Sequence, residues 1–182
     1  MFRKEGAALQ KGRGHGSMFD NANRGKKSVV LDLKKPEDIS ALRSLLQTAD
    51  VFVTNVRGEA LKRIGLDYET LRASYPGLVY AHLTAYGQTG PDKDLPGYDV
   101  GAFFAATGIQ DLLRPDDAAG TPRYAGGFGD HATAGQLVAG VAMALLHKHR
   151  TGQGQLVDAC LFRSGLYILG CPAPRHFIRL RL

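Results

Sequence analysis

The chain contains no tryptophan and only two cysteines, Cys160 and Cys171, among 182 residues. Two thiols cannot build a disulfide framework, and they stand in no Cys/His ligand spacing. A disulfide-stapled module and a structural metal site are therefore both excluded, and a reducing compartment is expected, cytoplasmic or mitochondrial. Long apolar runs are also missing. The nearest approach, Ala132 to Leu146, is too short and too rich in glycine and alanine to span a bilayer, so no membrane partner is expected. The opening stretch MFRKEGAALQKGRGHGSMFD is basic but has no apolar h-region, which argues against secretion. No block of five or six like charges occurs, and no aromatics interleave with the cations, so no nucleic-acid platform is expected. There is no G-x-S-x-G, and RGKKS lacks the earlier glycine of a Walker loop. GRGHGS (12–17) follows no strand and lacks dinucleotide spacing, so it reads as a loop.

What remains is an ordinary globular composition, 44% hydrophobic and 22% charged, with a net charge of +6. The cations are scattered: Arg24 to Lys27, Lys34 and Lys35, Arg57, Lys62, Arg63, and His147 to Arg150. Such spacing suits several phosphates on one small ligand, and it equally suits a solvated basic surface. His147 and His149 lie two apart on an expected helix and point in different directions, so no metal ligation is assigned.

The hydrophobic pattern predicts an α/β chain. SVVLDL (28–33), DVFVTN (50–55) and GLVYAHLTAY (77–86) read as strands. Pro36, Glu37 and Asp38 open a helix whose apolar residues Ile39, Leu42, Leu45 and Leu46 recur at helical spacing. GEALKRIG and DYETLRASYP supply two more helices before the third strand. Strand alternating with helix predicts a Rossmann-like, mostly parallel sheet with flanking helices. A turn-rich loop then leads to a buried helix over DVGAFFAATGI. A glycine-rich connector, RPDDAAGTPRYAGG, precedes a core helix over Ala132 to His149, apolar on nearly all faces. TGQGQLVDACLF reads as a turn entering a strand or strand–helix junction, and the tail from Cys171 has no readable period.

One acid stands out. Asp130 follows Gly126, Gly127 and Gly129 and comes just before the core helix. Read structurally, it is an N-cap. Read functionally, it is a carboxylate at a helix start, beside glycines that let a bulky substrate approach, and so a candidate nucleophile.

Five segments carry a resemblance: NRGKKSVVLDLKKPED, ADVFVTNVRGEALKRIGLDYETLRASYPGLVYAHLTAYGQTGP, PGYD, GD before the apolar helix, and HRTGQGQLVDACL. In this order, from Asn23 to about Gly170, the chain resembles the family III CoA-transferases. The resemblance implies an irregular segment at 1–22, part of a large domain at 23–170 and an unassigned tail at 171–182. The fold is then incomplete relative to the family, whose subunits interlock as homodimers when full length. It also implies an acyl-CoA and a small carboxylic acid as substrates, with no tightly bound cofactor. Asp130 falls at the position of the family's catalytic aspartate, which forms covalent anhydride and thioester intermediates. Leu31 and Lys34 match the segment beside the adenine. Asn55, Val56, Arg57 and Arg63 match contacts to the nucleotide and its phosphates, and Gly97, Tyr98 and Asp99 match the pantetheine channel. Tyr98 replaces the histidine of the racemase branch, and a phenol is a poor partner for moving an α-proton, which favours transfer. A racemase, or a truncated chain that at most binds CoA, are the alternatives.

Overall fold

The computed structural model describes residues 17–116, 119, 120, 122 and 126–170; the 12–16 portion of GRGHGS, parts of the 114–127 connector and the tail from Cys171 lie outside these. The chain divides into two units, 1–32 and 33–182. In the first, helix α1 (Ser17–Ala22) ends in a turn through Gly25 at φ 73°, where the Asn23 amide donates to the Phe19 carbonyl. Ser28 to Leu33 is not a strand, contrary to its β-branched pattern: no neighbouring strand among the described residues offers it a ladder, and Val30 is 95% exposed. A strand exists only through a partner that takes its N–H and C=O groups.

The second unit follows the expected alternation. Helix α2 (Pro36–Leu46) starts on its proline, with Glu37 and Asp38 in the first turn and Arg43 in the last, complementing the helix dipole at both ends. Strand β1 (Val51–Thr54), helices α3 (Gly58–Arg63) and α4 (Tyr68–Ser74), and strand β2 (Val79–Thr84) succeed it. Strand β3 (Leu156–Cys160) completes a three-stranded sheet in the order β1-β2-β3, with both pairings parallel. Val51 pairs with Val79 and Thr54 with His82; Tyr80 pairs with Leu156 and Thr84 with Cys160. The central strand is therefore the most buried, from Val79 through His82. Leu46, Leu61, Leu66, Leu71, Leu78 and Tyr80 form one cluster, and Tyr80 donates its hydroxyl to the Leu66 carbonyl at 2.8 Å.

Between β2 and β3 the chain departs from simple helix patterns. Val100–Ala105 is a π-helix, closed by the Ala106 N–H reaching back five residues to the Gly101 carbonyl at 2.8 Å. Gly108, at φ 82°, ends that segment and opens α5 (Ile109–Leu112). The long helix α6 (Phe128–Thr151) then packs against β2 and β3, and α7 (Leu161–Leu169) follows β3 directly. The expected all-round core helix is corrected: α6 buries Thr133, Leu137 and Ala144 on one side, while Val138 is 67% exposed and Met143 and Leu146 are also open. It is apolar all round but covered on one face.

The direction of α6 decides where the site lies. Near its end, Lys148 pairs with Asp50 at 2.9 Å, just before β1 begins, and the Gly154 N–H reaches the Pro76 carbonyl ahead of β2. The helix thus runs antiparallel to the strands. Lys148 to Asp130 is about 27 Å of helix at 1.5 Å per residue, so Asp130 reaches the edge where all three strands end. That carboxyl edge is where open parallel sheets gather ligands.

Candidate active site

Helix α6 begins at Phe128, two residues earlier in the chain than Asp130, with Gly127 at its N-cap position in a left-handed conformation, φ 89°. Asp130 is therefore inside the first turn and makes no capping hydrogen bond. This corrects the N-cap reading. The cap comes from elsewhere: Asp99 Oδ2 accepts the N–H groups of Gly127 at 2.8 Å and Gly129 at 3.3 Å, while its Oδ1 accepts the N–H of Val100 at 2.9 Å. One carboxylate closes the starts of the π-helix and of α6.

Freed from capping, the Asp130 side chain is exposed to solvent. Its carboxyl titrates above the ordinary carboxylate value, first because partial burial disfavours the charged form, then because Asp99 is negative, with His131 opposing both. His131 itself is exposed, and its Nδ1 lies 2.6 Å from the Gly127 carbonyl oxygen. The first turn sits hard against the π-helix: a Cβ on Gly129 would lie 2.6 Å from Phe103 Cγ and 2.9 Å from Asp99 Cβ. Phe104 and Phe128 rings stand 5.9 Å apart beside it.

The PGYD residues divide sharply. Gly97 crosses the end of β2, where a Cβ would lie 2.7 Å from that of Ala85. Tyr98 is 82% exposed, whereas Asp99 is 4% exposed and turned inward. Asn55, Val56 and Arg57 form the exposed corner after β1 and lead into α3, and Arg63 is exposed on its last turn. Two residues that sequence reasoning missed hold this corner. Buried His82 places Nε2 2.8 Å from the Val56 carbonyl oxygen, and buried Thr54 accepts the Val56 N–H at 3.1 Å. Only parallel register brings Thr54 beside His82, and register is not written in either segment. Lys34 is exposed at the start of the second unit, and half-buried Leu31 belongs to the first. Among the described residues, no three His, Cys, Asp or Glu side chains are grouped as a metal site requires.

The fold is a helix-flanked, open parallel sheet with the Asp130 carboxylate at its carboxyl edge, the edge at which α/β sheets of this class gather ligands. The chain belongs to CoA-transferase family III, whose family model matches residues 2–180. It is 45% identical over 152 residues to a cinnamoyl-CoA:phenyllactate CoA-transferase of Clostridium sporogenes, covering 84% of this chain and 37% of that protein. It is 41% identical to a succinate–glutarate CoA-transferase of Agrobacterium fabrum, covering 79% and 35% respectively. A CaiB/BaiF family protein from Brucella suis superposes with a TM-score of 0.87 and 31% identity, over 97% of this chain and 47% of that one. The chain thus spans a little over a third of the length of these two curated relatives.

Proposed function

We propose that the protein belongs to an acyl-CoA:carboxylate CoA-transferase in which Asp130 is the nucleophile. A carboxylate oxygen of Asp130 attacks the thioester carbon of the donor, the C–S bond breaks, and CoA leaves as its thiolate from a mixed anhydride. The thiolate then attacks Cγ of Asp130, the donor acid departs as a carboxylate, and an aspartyl-CoA thioester remains. An acceptor carboxylate attacks the same carbon and expels the thiolate. The thiolate finally attacks the acceptor's acyl carbon and frees Asp130. Every step exchanges one anionic nucleophile for one anionic leaving group, so no proton is gained or lost. Splitting the exchange this way is the general logic of covalent catalysis.

The observation that carries the proposal is the placement of Asp130: accessible, uncapped, at the carboxyl edge, and raised in pKa. A carboxylate whose charge is poorly stabilised is the better nucleophile. Arg57 and Arg63, exposed at the corner after β1, suit the phosphates of CoA, for which a guanidinium fork is well shaped. At position 98 the chain carries a phenol where the racemase branch has an imidazole, which favours transfer over racemisation. The acceptor is a carboxylic acid of the kind named for the relatives, aryl hydroxy acid or dicarboxylate, and the interlocked dimer belongs to the same proposal. Incubation with cinnamoyl-CoA or succinyl-CoA, followed by peptide mass spectrometry, should give an acyl or CoA adduct mapped to Asp130. No adduct with either donor, or one that persists in Asp130→Ala, sinks the reading.

A further inference from the structure

Asp99 is a buried carboxylate whose partners among the described residues are three backbone N–H groups from two separate elements. Two of those N–H groups flank Phe128 and belong to the turn that carries Asp130. We propose that Asp99 is a positioning residue for the transfer reaction: by holding the N–H groups of Gly127 and Gly129 from the π-helix, it fixes the rotation of the first turn of α6 and hence the direction in which Asp130 presents its carboxylate. The inference rests on the nucleophilic role given above to Asp130, and it assigns Asp99 a role that does not require contact with the substrate.

The packing supports the assignment independently of the hydrogen bonds. Gly129 leaves no room for a Cβ between Phe103 and Asp99, so the turn lies directly against the start of the π-helix. The Gly129 carbonyl is occupied as well, accepting the buried Thr133 hydroxyl at 2.8 Å. An ordinary cap from within the loop would satisfy the same N–H groups without tying α6 to the residue before the π-helix. A carboxylate reaching across 28 and 30 residues makes the placement of Asp130 depend on the PGYD segment. Among the described residues, the charged or titratable groups that act on Asp130 are Asp99 from that segment and His131 from its own helix. Removing the negative neighbour should therefore lower the Asp130 midpoint, which reports that the two carboxylates lie close together, while the adduct rate reports how Asp130 is directed.

The test uses the whole chain with Asp99→Asn, and Asp99→Ser as a second variant of smaller volume. Carbon-13 NMR of labelled aspartate carboxyls follows Asp130 without any substrate, and rapid-quench mass spectrometry follows adduct formation from cinnamoyl-CoA or succinyl-CoA. In Asp99→Asn the Asp130 midpoint should fall and the Gly127 and Gly129 amide protons should exchange faster. The adduct should form on the order of 100-fold more slowly at saturating donor, the scale expected of a misdirected reacting group. An Asp130 midpoint unmoved in both variants, with only the thermal midpoint lowered, overturns the proposal. So does an adduct rate equal to wild type in both. Absence of adduct in the wild type overturns the transferase reading instead, and the NMR arm then decides on its own whether Asp99 governs Asp130.

Discussion

The leucine cluster beneath α2, α3 and α4 and the phenylalanine cluster around the π-helix bury the same kind of carbon but differ in how many of their contacts fall at glycines: the first meets one at Gly154, against the Leu78 carbonyl, the second several. In the first, branched side chains from three helices and β2 interdigitate, with Tyr80 donating to a backbone carbonyl at their centre. In the second, Ala102, Phe103, Phe104, Ile109 and Leu161 meet neighbouring elements at glycines. A Cβ at Gly129 would strike Phe103, one at Gly165 would lie 2.7 Å from the Phe103 carbonyl oxygen, and one at Gly97 would strike Ala85. Buried polar groups occur in both: Thr54 and His82 lie on β1 and β2, His82 against the Tyr80 ring. Asp99, Thr133 and Ser164 lie in or beside the second region, each with a hydrogen-bond partner on another turn or another element. Side-chain packing tolerates small readjustment, whereas backbone contact through glycine does not. The first region can therefore vary in detail and stay a scaffold; the second holds Asp130, the proposed nucleophile, in one place.

The largest test of that contrast is a loss of volume in the scaffold. Leu71, 1% exposed, lies in the leucine cluster far from α6 in the chain. Leu71→Ala should cost about 2–5 kcal/mol of stability through lost burial and a residual cavity. Adduct formation per folded molecule should stay at the wild-type rate. Denaturant titration gives the first quantity and rapid-quench mass spectrometry the second. A slowed adduct would show that the two regions are not separable.

The converse test adds one methyl group in the other region. Gly129→Ala places a Cβ 2.6 Å from Phe103 Cγ, so the first turn of α6 or the π-helix must shift. Overpacking of this kind costs about 1–3 kcal/mol, less than the leucine truncation. The adduct rate per folded molecule should nonetheless fall by on the order of 100-fold, because the displaced turn carries Asp130. A rate within a few fold of wild type would mean that placement of Asp130 does not depend on this contact.

The same contrast explains what sequence alone revealed. The scaffold is legible because its signals are local: Pro36 with Glu37 and Asp38 announces α2, Asp67 announces α4, and β-branched runs announce β1 and β2. SVVLDL carries an equally good strand signal and yet is no strand, since a ladder needs a partner that local pattern does not reveal. In the second region the decisive contacts join distant residues. Nothing in PGYD says that its aspartate caps a helix starting near residue 128, and nothing in DVGAFFAATGI distinguishes a π-turn from an α-helix. Asp130 was legible as an unusual acid behind glycines, but its position inside the turn was not, because a distant carboxylate had taken the capping role. His82 and Thr54, which steady the corner of Asn55 to Arg57, depend on strand register in the same way.

The smallest expected effect sets one acid from each region against the other. Asp67 caps α4, accepting the Thr70 N–H at 3.2 Å and its hydroxyl at 2.7 Å. Burial alone would raise its pKa, but these hydrogen bonds prevail and hold it below the ordinary carboxylate value of 3.8. Asp130 is shifted the other way, upward from 3.8, by partial burial and by Asp99. The signs of linkage are then opposite. Asp67 contributes stability that is present above its unfolded pKa and is lost as pH falls through its lower folded value. Asp130 contributes stability that is present below its unfolded pKa and is lost as pH rises through its higher folded value. At neutral pH, Asp67→Asn should therefore cost about 1 kcal/mol, the usual worth of an N-cap. Asp130→Asn should be neutral to slightly stabilising, within about 0.5 kcal/mol for an exposed site. Thermal midpoints of wild type and both variants, followed from about pH 3 to about pH 7 across the carboxylate range, measure the difference. The gap between wild type and Asp67→Asn should close on acidification. The gap between wild type and Asp130→Asn should open as pH rises past 3.8 and then level off. Two curves of the same sign would show that the protein stabilises both anions alike, and the distinction between a capping acid and the uncapped, proposed nucleophile would be lost.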